Sequence, residues 1–282
     1  EPGVTNVSVT HAVAAQGFYY APDPSSQIAC TIGGNIAENA GGVHCLKYGT
    51  TTNNLLGLQL VLADGDIVDI GSAALERGGY DLLALFTGSE GLLGIITQAT
   101  LRMLPRPESA RALMAAFDSV AAAGGAVADV IGAGVIPAGM EIMDRLSIEA
   151  VEGFLGCGYP LGVEALLLAE VDGSAAEVDA QILAVEDLVK AAGCTEIRGA
   201  DTPEERQRLW AGRKAAFPAM GRVSPDYYCM DGTIPRGRLP QVLERISELS
   251  ALCGLRVANV FHAGDGNLHP LILYDSNAEG EL

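Results

Sequence analysis

The sequence predicts an α+β protein of two domains, and three observations lead to this prediction. The chain has 282 residues, a comfortable length for two domains, and 49% of them are hydrophobic, enough for a sizeable core. Up to about residue 105 the chain is rich in glycine, asparagine and short β-like runs, whereas strand-like and helix-like segments alternate beyond it. Pro105 and Pro107 separate the two textures, so we expect domains at residues 1–106 and 107–282.

Local signals predict the elements of the first domain. Residues 55–62 and 67–70 are β-like runs on either side of Asp64-Gly65, which predicts a hairpin. Residues 80–86 predict a short helix. Residues 95–104 predict a strand that ends at the following proline.

In the second domain the alternation predicts a sheet with helices packed on it. Strands are predicted at residues 112–117, 140–143, 165–171, 225–235, 256–262 and 268–274. Helices are predicted at residues 119–131, 175–192 and 240–252, and a further helix begins at residue 202. Ser119 and Thr202 supply N-cap hydroxyls, and Pro203 with Glu205 completes the second helix start.

Charge and composition exclude several functions. The formal net charge is −18 and the pI is about 4.5, so an acidic surface should repel nucleic acid and anionic lipid. Six cysteines occur without a Cys-x-x-Cys pair, which argues against a zinc ribbon, an iron–sulfur cluster or a disulfide framework and favours buried free thiols. The apolar residues 120–140 are interrupted by Asp129 and Pro137, so we expect a buried helix and a turn, not a membrane span.

Two glycine-rich segments are candidates for a phosphate-containing ligand. Residues 31–42 hold two glycine pairs, whose backbone N–H groups can approach a pyrophosphate without a Cβ in the way, and Asn35 and Asn39 add short polar arms. The alternative is a pair of tight turns. Residues 88–94 carry glycines at every third position before a β-branched run, and the alternative there is a loop that leads into a strand.

A histidine hairpin is the most informative run. His262 and His269 flank Ala-Gly-Asp-Gly-Asn, a set of turn residues that can bring both imidazoles to one centre. Imidazole suits Zn, Mn or Fe, but two histidines need a third ligand. The alternative is two unrelated histidines, one capping a strand and one on the surface. The Arg213 guanidinium could bind a substrate carboxylate through two hydrogen bonds. The alternative is a solvated cation at a helix end.

Residues 21–26, 31–42, 44–49 and 88–97 together resemble the FAD-binding domain of flavoproteins of the vanillyl-alcohol-oxidase type. The second half resembles the C-terminal substrate or cap domain of FAD-linked oxidases, an α+β (ferredoxin-like) domain. The resemblance implies non-covalent FAD. The residues that it implies for cofactor binding are Pro22, Ser25, Thr31, Gly33, Gly34, Asn39, Gly41, Gly42, Tyr48, Glu90, Gly91, Gly94 and Ile95.

The run His-x-Gly-Asp-Gly-Asn-x-His resembles the D-lactate, D-2-hydroxyglutarate and glycolate dehydrogenase branch of this family. The resemblance implies that His262 and His269 bind a divalent metal, that Asn267 belongs to the active site and that Arg213 binds the substrate carboxylate. It also implies a third ligand, Glu, and a base, His, downstream of the chain, and an earlier phosphate-binding loop upstream. We therefore expect a fragment cut at both ends and inactive alone.

The same resemblance implies oxidation of a small 2-hydroxy acid, glycolate to glyoxylate, by hydride transfer to FAD with metal assistance. Cys229 stands where the 2-hydroxyglutarate branch has a substrate-binding Lys, which favours a monocarboxylate. Companion FAD-domain and iron–sulfur subunits of a glycolate oxidase complex are the implied partners, with a cytoplasmic location at the inner face of the membrane through them. The alternatives are a D-lactate dehydrogenase of the same branch and a non-catalytic FAD-domain scaffold; the paired histidines and Arg213 count against the scaffold.

Overall fold

A computed structural model describes residues 1–72 and 79–281 of the chain. The chain divides into two compact units, Glu1–Arg106 and Pro107–Leu282. The division falls between the two prolines that separate the textures of the sequence. Each unit has its own sheet and core and is described by itself.

The first unit packs short helices on a small antiparallel sheet. Strand order in the three-stranded sheet is β3-β2-β4, and β1 pairs with β5 in a two-stranded ribbon. Its elements are α1 (Asn6–Val13), β1 (Phe18–Tyr19), α2 (Ile32–Glu38), α3 (Cys45–Tyr48), β2 (Leu55–Val61), β3 (Ile67–Gly71), α4 (Leu82–Phe86), β4 (Ile95–Leu101) and β5 (Leu104–Pro105).

The hairpin predicted around Asp64-Gly65 is confirmed by the pairing of β2 with β3. Gly65 adopts a φ of +91°, and the Asp64 carboxylate accepts the backbone N–H of Asp66 at 3.1 Å. These are the features that make Asp-Gly a tight return between strands. The buried face of β2 packs on Ile32 and Ile36 of α2, which forms the core of this unit.

Three predictions for the first unit need correction. The glycine-rich residues 31–42 are not merely turns, because α2 begins inside them with Thr31 as its N-cap. The short helix begins at Leu82, two residues later than predicted, with Asp81 as N-cap. The strand predicted at 95–104 is broken into β4 and β5, since β5 leaves the main sheet to pair with β1.

The second unit is built on a nine-stranded sheet whose strand pairs are all antiparallel. Its elements are β6 (Ser109–Phe117), α5 (Val120–Gly132), β7 (Gly139–Asp144), α6 (Arg145–Leu155), β8 (Ala165–Gly173), α7 (Ala175–Ala191), β9 (Glu196–Ala200), α8 (Pro203–Lys214), α9 (Ala216–Met220), β10 (Asp226–Cys229), β11 (Gly232–Thr233), α10 (Leu239–Cys253), β12 (Arg256–His262), β13 (Asn267–Leu268) and β14 (Pro270–Tyr274).

The strand order β7-β8-β6-β9, with α5 and α7 as crossovers, is that of a ferredoxin-like β-α-β-β-α-β unit. On the other side of β7 the sheet continues through β12 and β14 to β10. The predicted N-caps are confirmed: Ser119 accepts the N–H of Ala122, and Thr202 forms a capping box with Glu205. Strand β7 therefore joins the ferredoxin-like part to the strands that carry the histidine hairpin.

Other predictions for the second unit were incomplete. The strand predicted at 268–274 is interrupted at His269, so that β13 and β14 are separate. The strand predicted at 225–235 is likewise two short strands, β10 and β11. Helix α6 and strand β9 were not predicted. The free thiols are less buried than expected, because Cys229 and Cys253 are exposed and the other four are half-buried.

The apolar residues 120–140 fold as the buried helix α5, a turn and the start of β7, as predicted. In the part of the chain that the structure describes, no helix combines the length and apolar character needed to cross a bilayer.

Candidate functional site

The histidine hairpin lies at the end of β12. The N–H of Gly264 donates to the carbonyl of Met140 at 3.1 Å, and the N–H of Gly266 donates to the carbonyl of His262 at 3.1 Å. Gly266 has a φ of +80°, and a Cβ there would lie 2.3 Å from the carbonyl oxygen of Ile234. Only glycine fits this position, so Gly266 is what lets the loop pass this close to Ile234.

This path brings the two histidines together. The ring centroids of His262 and His269 are 5.0 Å apart in an edge-to-face arrangement. Their side chains are 15% and 14% exposed, and Nδ1 of His269 lies 3.7 Å from a carboxylate oxygen of the exposed Asp231. His262 does end a strand, but the alternative of two unrelated histidines with one on the surface is wrong, because the rings are in contact and both are largely buried.

A carboxylate that the sequence did not single out organises the site. Glu141 on β7 stands directly opposite His262 on β12, and directly opposed residues project from the same face of a sheet. Its Oε1 lies 2.7 Å from Nδ1 of His262; its Oε2 accepts from Nε of Arg213 at 2.8 Å and lies 2.7 Å from Nη2 of the same guanidinium in an ion pair. Glu141 and Arg213 have side-chain exposures of 0% and 1%. One buried carboxylate thus joins the predicted metal-binding and substrate-binding residues.

Arg213 is positioned by helix α8, which is anchored at several points. Its N-terminus is fixed by the Thr202 capping box, and Nε1 of Trp210 donates to Glu170 on β8 at 2.6 Å. The hydroxyl of Tyr159 donates to the carbonyl of Leu209. The guanidinium is therefore held inside the unit, and the alternative of a solvated cation at a helix end is wrong.

The protonation equilibria follow from this packing. Burial opposes the charged form of His262, but the Glu141 carboxylate outweighs it, so the pKa of His262 is raised. The pKa of His269 is lowered, first by burial and then by the neighbouring His262. Burial raises the pKa of Asp265 in the loop between them. The two histidines therefore differ in proton affinity although they are in contact.

The side chains present fit part of a metal site. A His whose Nδ1–H donates to a carboxylate keeps Nε2 for a metal ion, which is the usual arrangement at such sites. Asn267, which stands opposite His262, has a buried Oδ1 without a hydrogen-bond partner among the described residues. Across the described ranges, no group of three His, Cys, Asp or Glu side chains could hold a metal ion. The chain thus offers two imidazoles and one unpartnered amide oxygen.

In the first unit, hydrogen bonds bring the predicted cofactor-binding segments together. Asp23 accepts from the backbone N–H of His44 at 3.2 Å and lies 2.9 Å from its Nδ1, which joins the loop that holds Pro22 and Ser25 to the loop after Gly42. The N–H groups of Gly88 and Glu90 donate to carbonyls at the end of α2 at 2.8 and 2.9 Å. Of the four predicted segments, residues 88–97 therefore border α2, which lies within residues 31–42, and residues 21–26 are joined to residues 44–49.

The predicted cradle of free backbone N–H groups is wrong for three of its glycines. The N–H of Gly33 donates to the carbonyl of Pro2 at 2.8 Å, that of Gly34 to Thr31 at 3.3 Å and that of Gly42 to the Cys45 sulfur at 2.9 Å. A Cβ on Gly42 would lie 2.4 Å from the Asp23 backbone. The small size of Gly42 is thus needed for loop packing.

Other predicted residues of the first unit have varied roles. Asn39 ends α2 in the left-handed conformation, and its Oδ1 accepts from the N–H of Thr52 at 3.0 Å. Tyr48 packs edge-on against Tyr19, with ring centroids 6.1 Å apart. Glu90 and Gly91 have φ values of +54° and +75° in an exposed loop. These residues shape the loops around α2.

Two observations in the first unit fit a flavin nucleotide. Asn35 of α2 is buried, and its Nδ2 has no hydrogen-bond partner in the described part of the chain. Beside the loop that packs on α2, the apolar side chains of Leu92, Leu93 and Ile95 are 85%, 44% and 63% exposed. A ligand with a polar acceptor and flat apolar rings would satisfy both.

The sequence contained an overlooked signal for Glu141. All six residues of β7 are buried, and a carboxylate is almost never fully buried unless it is paired. A carboxylate in a buried strand thus indicates a buried hydrogen-bond donor or cation as its partner. The identity of that partner is set by the sheet order, which is a property of the fold.

Comparison with known proteins identifies both units. Residues 106–282 match the family described as FAD linked oxidases, C-terminal domain, and residues 1–71 match the FAD binding domain. Glycolate oxidase subunit GlcD of Escherichia coli K12 is 59% identical over 282 residues, covering 100% of this chain and 56% of that protein. The Bacillus subtilis protein of the same name is 38% identical, covering 100% of this chain and 60% of its own length.

More distant similarities agree with these matches. A D-lactate dehydrogenase of Anaerostipes hadrus is 34% identical, with 100% of this chain and 61% of that protein covered. The chain thus spans 56% to 61% of the length of these relatives. The structure of p-cresol methylhydroxylase has a TM-score of 0.76 at 17% identity, covering 100% of this chain and 62% of that chain. This structural likeness confirms the predicted fold.

Proposed function

The chain belongs to the family of FAD-linked oxidases, and on that premise we propose that it is part of an FAD-dependent dehydrogenase of small 2-hydroxy acids. Glycolate, oxidised to glyoxylate, is the proposed substrate. The observation that carries the proposal is the cluster in which Glu141 joins the buried Arg213 to the histidine pair. The cluster combines a carboxylate-binding cation with metal-binding imidazoles.

The residues of the second unit have distinct proposed roles. Arg213 binds the substrate carboxylate through the N–H groups that Glu141 does not use, since a guanidinium carries five donors. His262 and His269 hold a divalent metal, Zn, Mn or Fe, and Asn267 contributes its unpartnered oxygen to the same site. When bound, such an ion would polarise the substrate's 2-hydroxyl and ease the loss of its proton.

In the first unit, we propose that FAD lies against α2 and the loops that border it. Asn35 and the cofactor-binding residues predicted in the four segments named above would contact it. Ile95 and its apolar neighbours would cover its nucleotide end. When bound, FAD would supply the acceptor for the hydride that leaves the substrate Cα. The 2-hydroxyacid branch that the chain resembles generally holds FAD non-covalently.

The proposed partners are companion FAD-domain and iron–sulfur subunits of a glycolate oxidase complex, through which the protein would lie at the inner, cytoplasmic face of the membrane. The support is that the two bacterial relatives are named as subunits. The described cysteines are all free thiols, which agrees with an iron–sulfur carrier on another chain.

A second candidate, a D-lactate dehydrogenase, is favoured by the similarity to the Anaerostipes hadrus enzyme. The test is oxidation of glycolate, D-lactate and D-2-hydroxyglutarate by the intact protein with an artificial dye as acceptor. We expect both monocarboxylates to be oxidised faster than the dicarboxylate, and their order decides between the two candidates. Absence of turnover with all three, in protein that carries flavin, contradicts the proposal and favours a scaffold.

A further inference from the structure

The two oxygens of the Glu141 carboxylate have different partners. Oε1 faces Nδ1 of His262 at 2.7 Å, whereas Oε2 accepts the Nε–H of Arg213 at 2.8 Å and lies 2.7 Å from its Nη2. Both partners donate, since a guanidinium has no acceptor and an ionised carboxylate has no proton to give. The carboxylate therefore sets the orientation of an imidazole and a guanidinium at once.

For His262 this orientation selects one ring nitrogen. Donation from Nδ1–H to Glu141 leaves the lone pair of Nε2 on the opposite side of the ring. In the edge-to-face pair, His269 is the neighbouring imidazole, with centroids 5.0 Å apart. The carboxylate thus prepares Nε2 of His262 as a metal ligand before any metal binds.

For Arg213, the contacts with Glu141 determine which N–H groups of the guanidinium remain for another ligand. Its Nε donates to Glu141, and its Nη2 lies within ion-pair distance of the same oxygen. The Nη1 group is left for a ligand. A guanidinium held on one edge presents its other edge in a fixed direction, which is what recognition of a carboxylate requires.

We propose that Glu141 is a positioning residue. It fixes the Nδ1–H tautomer of His262 and the direction of the Arg213 guanidinium edge that does not face Glu141, so that one carboxylate orients both the metal-binding and the substrate-binding side chain. This inference rests on the proposed function. It adds a residue that touches neither substrate nor metal and acts through two residues that do. A carboxylate that only filled space in β7 would be replaceable by its amide, which has the same size.

The proposal is tested with Glu141→Gln in the intact protein. The amide has one acceptor oxygen for two donors, so its NH₂ must face either Arg213 or Nδ1 of His262. If it faces His262, the proton of the neutral ring moves to Nε2 and blocks the metal. We expect the affinity for Zn²⁺ or Mn²⁺, measured by chelator competition, to fall about 10- to 100-fold. The KM for glycolate should rise about 10-fold or more while flavin content stays unchanged.

Asp172→Asn is the matched control. Asp172 is a buried carboxylate on β8 of the same sheet, 6% exposed, and lies outside the proposed site. This variant should keep wild-type metal affinity and KM, whatever it costs in stability. A folded Glu141→Gln protein with metal affinity and KM within twofold of wild type overturns the inference.

A measurement on the unmutated protein covers the case in which Glu141→Gln does not fold. With ¹⁵N-labelled histidine, the neutral His262 ring should carry its proton on Nδ1, with Nε2 unprotonated or metal-bound. A proton on Nε2, or a metal on Nδ1, overturns the inference. If the unmutated protein binds no divalent metal, the metal part of the proposed function fails, but the tautomer still decides the role of Glu141.

Discussion

The imidazole rings of His262 and His269 meet edge to face, with centroids 5.0 Å apart, although six residues separate them in the chain. Each ring also has a carboxylate at its Nδ1 side, buried Glu141 for His262 and exposed Asp231 for His269. The two rings thus lie in contact, and each has a carboxylate near its Nδ1.

From this arrangement we predict that His262→Ala and His269→Ala each abolish binding of the divalent metal and reduce turnover, because a two-histidine site does not survive the loss of one ligand. Metal content by atomic emission and flavin content by absorbance are measured on each variant. His11→Ala, on the exposed face of α1, is the control and should retain the metal. Full metal occupancy in both site variants would show that the hairpin is structural.

Replacing Arg213 should separate substrate binding from metal binding. Truncating one partner of a buried charge pair costs about 2–5 kcal/mol, so Arg213→Ala should lower kcat/KM about 30-fold to several-thousand-fold with the metal retained. The same change leaves Glu141 without its guanidinium and should lower the free energy of unfolding by about 3–5 kcal/mol.

Arg213→Lys preserves the positive charge beside Glu141 and should therefore be more stable than the alanine variant. Lysine lacks the planar guanidinium that binds a carboxylate through two hydrogen bonds, so kcat/KM should remain impaired. Lys214→Ala, at the next and exposed position of α8, is the control. A lysine variant with wild-type kinetics would refute a role for bidentate recognition.

A third prediction concerns Gly212, the residue before Arg213. A Cβ there would lie 2.5 Å from the hydroxyl oxygen of Tyr159 and 2.6 Å from its ring. Gly212→Ala should therefore displace the ring or α8 and lower the free energy of unfolding by about 1–3 kcal/mol, with a rise in the KM for glycolate. Gly153→Ala, in helix α6 with no atom within 4 Å of the new Cβ, should be neutral or stabilising. Urea titration compares them, and equal effects would contradict the packing argument.

The fourth prediction concerns alkaline pH. Burial raises the pKa of Tyr20 to about 12, above the usual value of about 10 for a tyrosine hydroxyl. As the pH rises, Tyr20 ionises in the unfolded chain before it ionises in the folded protein. Its contribution to the free energy of unfolding is therefore complete below about pH 10 and is lost as the pH rises towards about 12. The loss amounts to about 2–3 kcal/mol at about 1.4 kcal/mol per pH unit.

Tyr20→Phe should remove this part of the alkaline destabilisation, which is measured by urea unfolding at about pH 8 and about pH 11. Tyr80→Phe is the exposed control and should behave as wild type, since Tyr80 is 93% exposed. An identical pH dependence in wild type and Tyr20→Phe would contradict the assignment.

The sequence predicted elements whose cause is local. The Asp64-Gly65 hairpin and the helix starts at Ser119 and Thr202 depend on residues within four positions of each other, and the structure confirms them. Helix α2 was missed because Gly33 and Gly34 have poor helix propensity. It forms because Thr31 caps it and Ile32 and Ile36 are buried in the core.

The candidate site was predicted only in part, because some of its contacts join residues that are far apart in the chain. His262, His269 and Arg213 were chosen from local patterns and a family resemblance. Glu141 lies 72 positions from Arg213 and 121 from His262, so no local pattern relates them. Sheet order decides the contact, and sheet order depends on the packing of the whole unit.

That separation has a consequence for the newly made chain. At a synthesis rate of about 5–20 residues per second, Glu141 leaves the ribosome roughly 6–24 seconds before His262, the partner that lies 121 positions later. During this interval β7 can pair with β8 but not with β12, and it remains an unprotected strand edge. The arrival of β12 closes this edge and also brings His262 to Glu141, so the strand edge stays open until this contact can form.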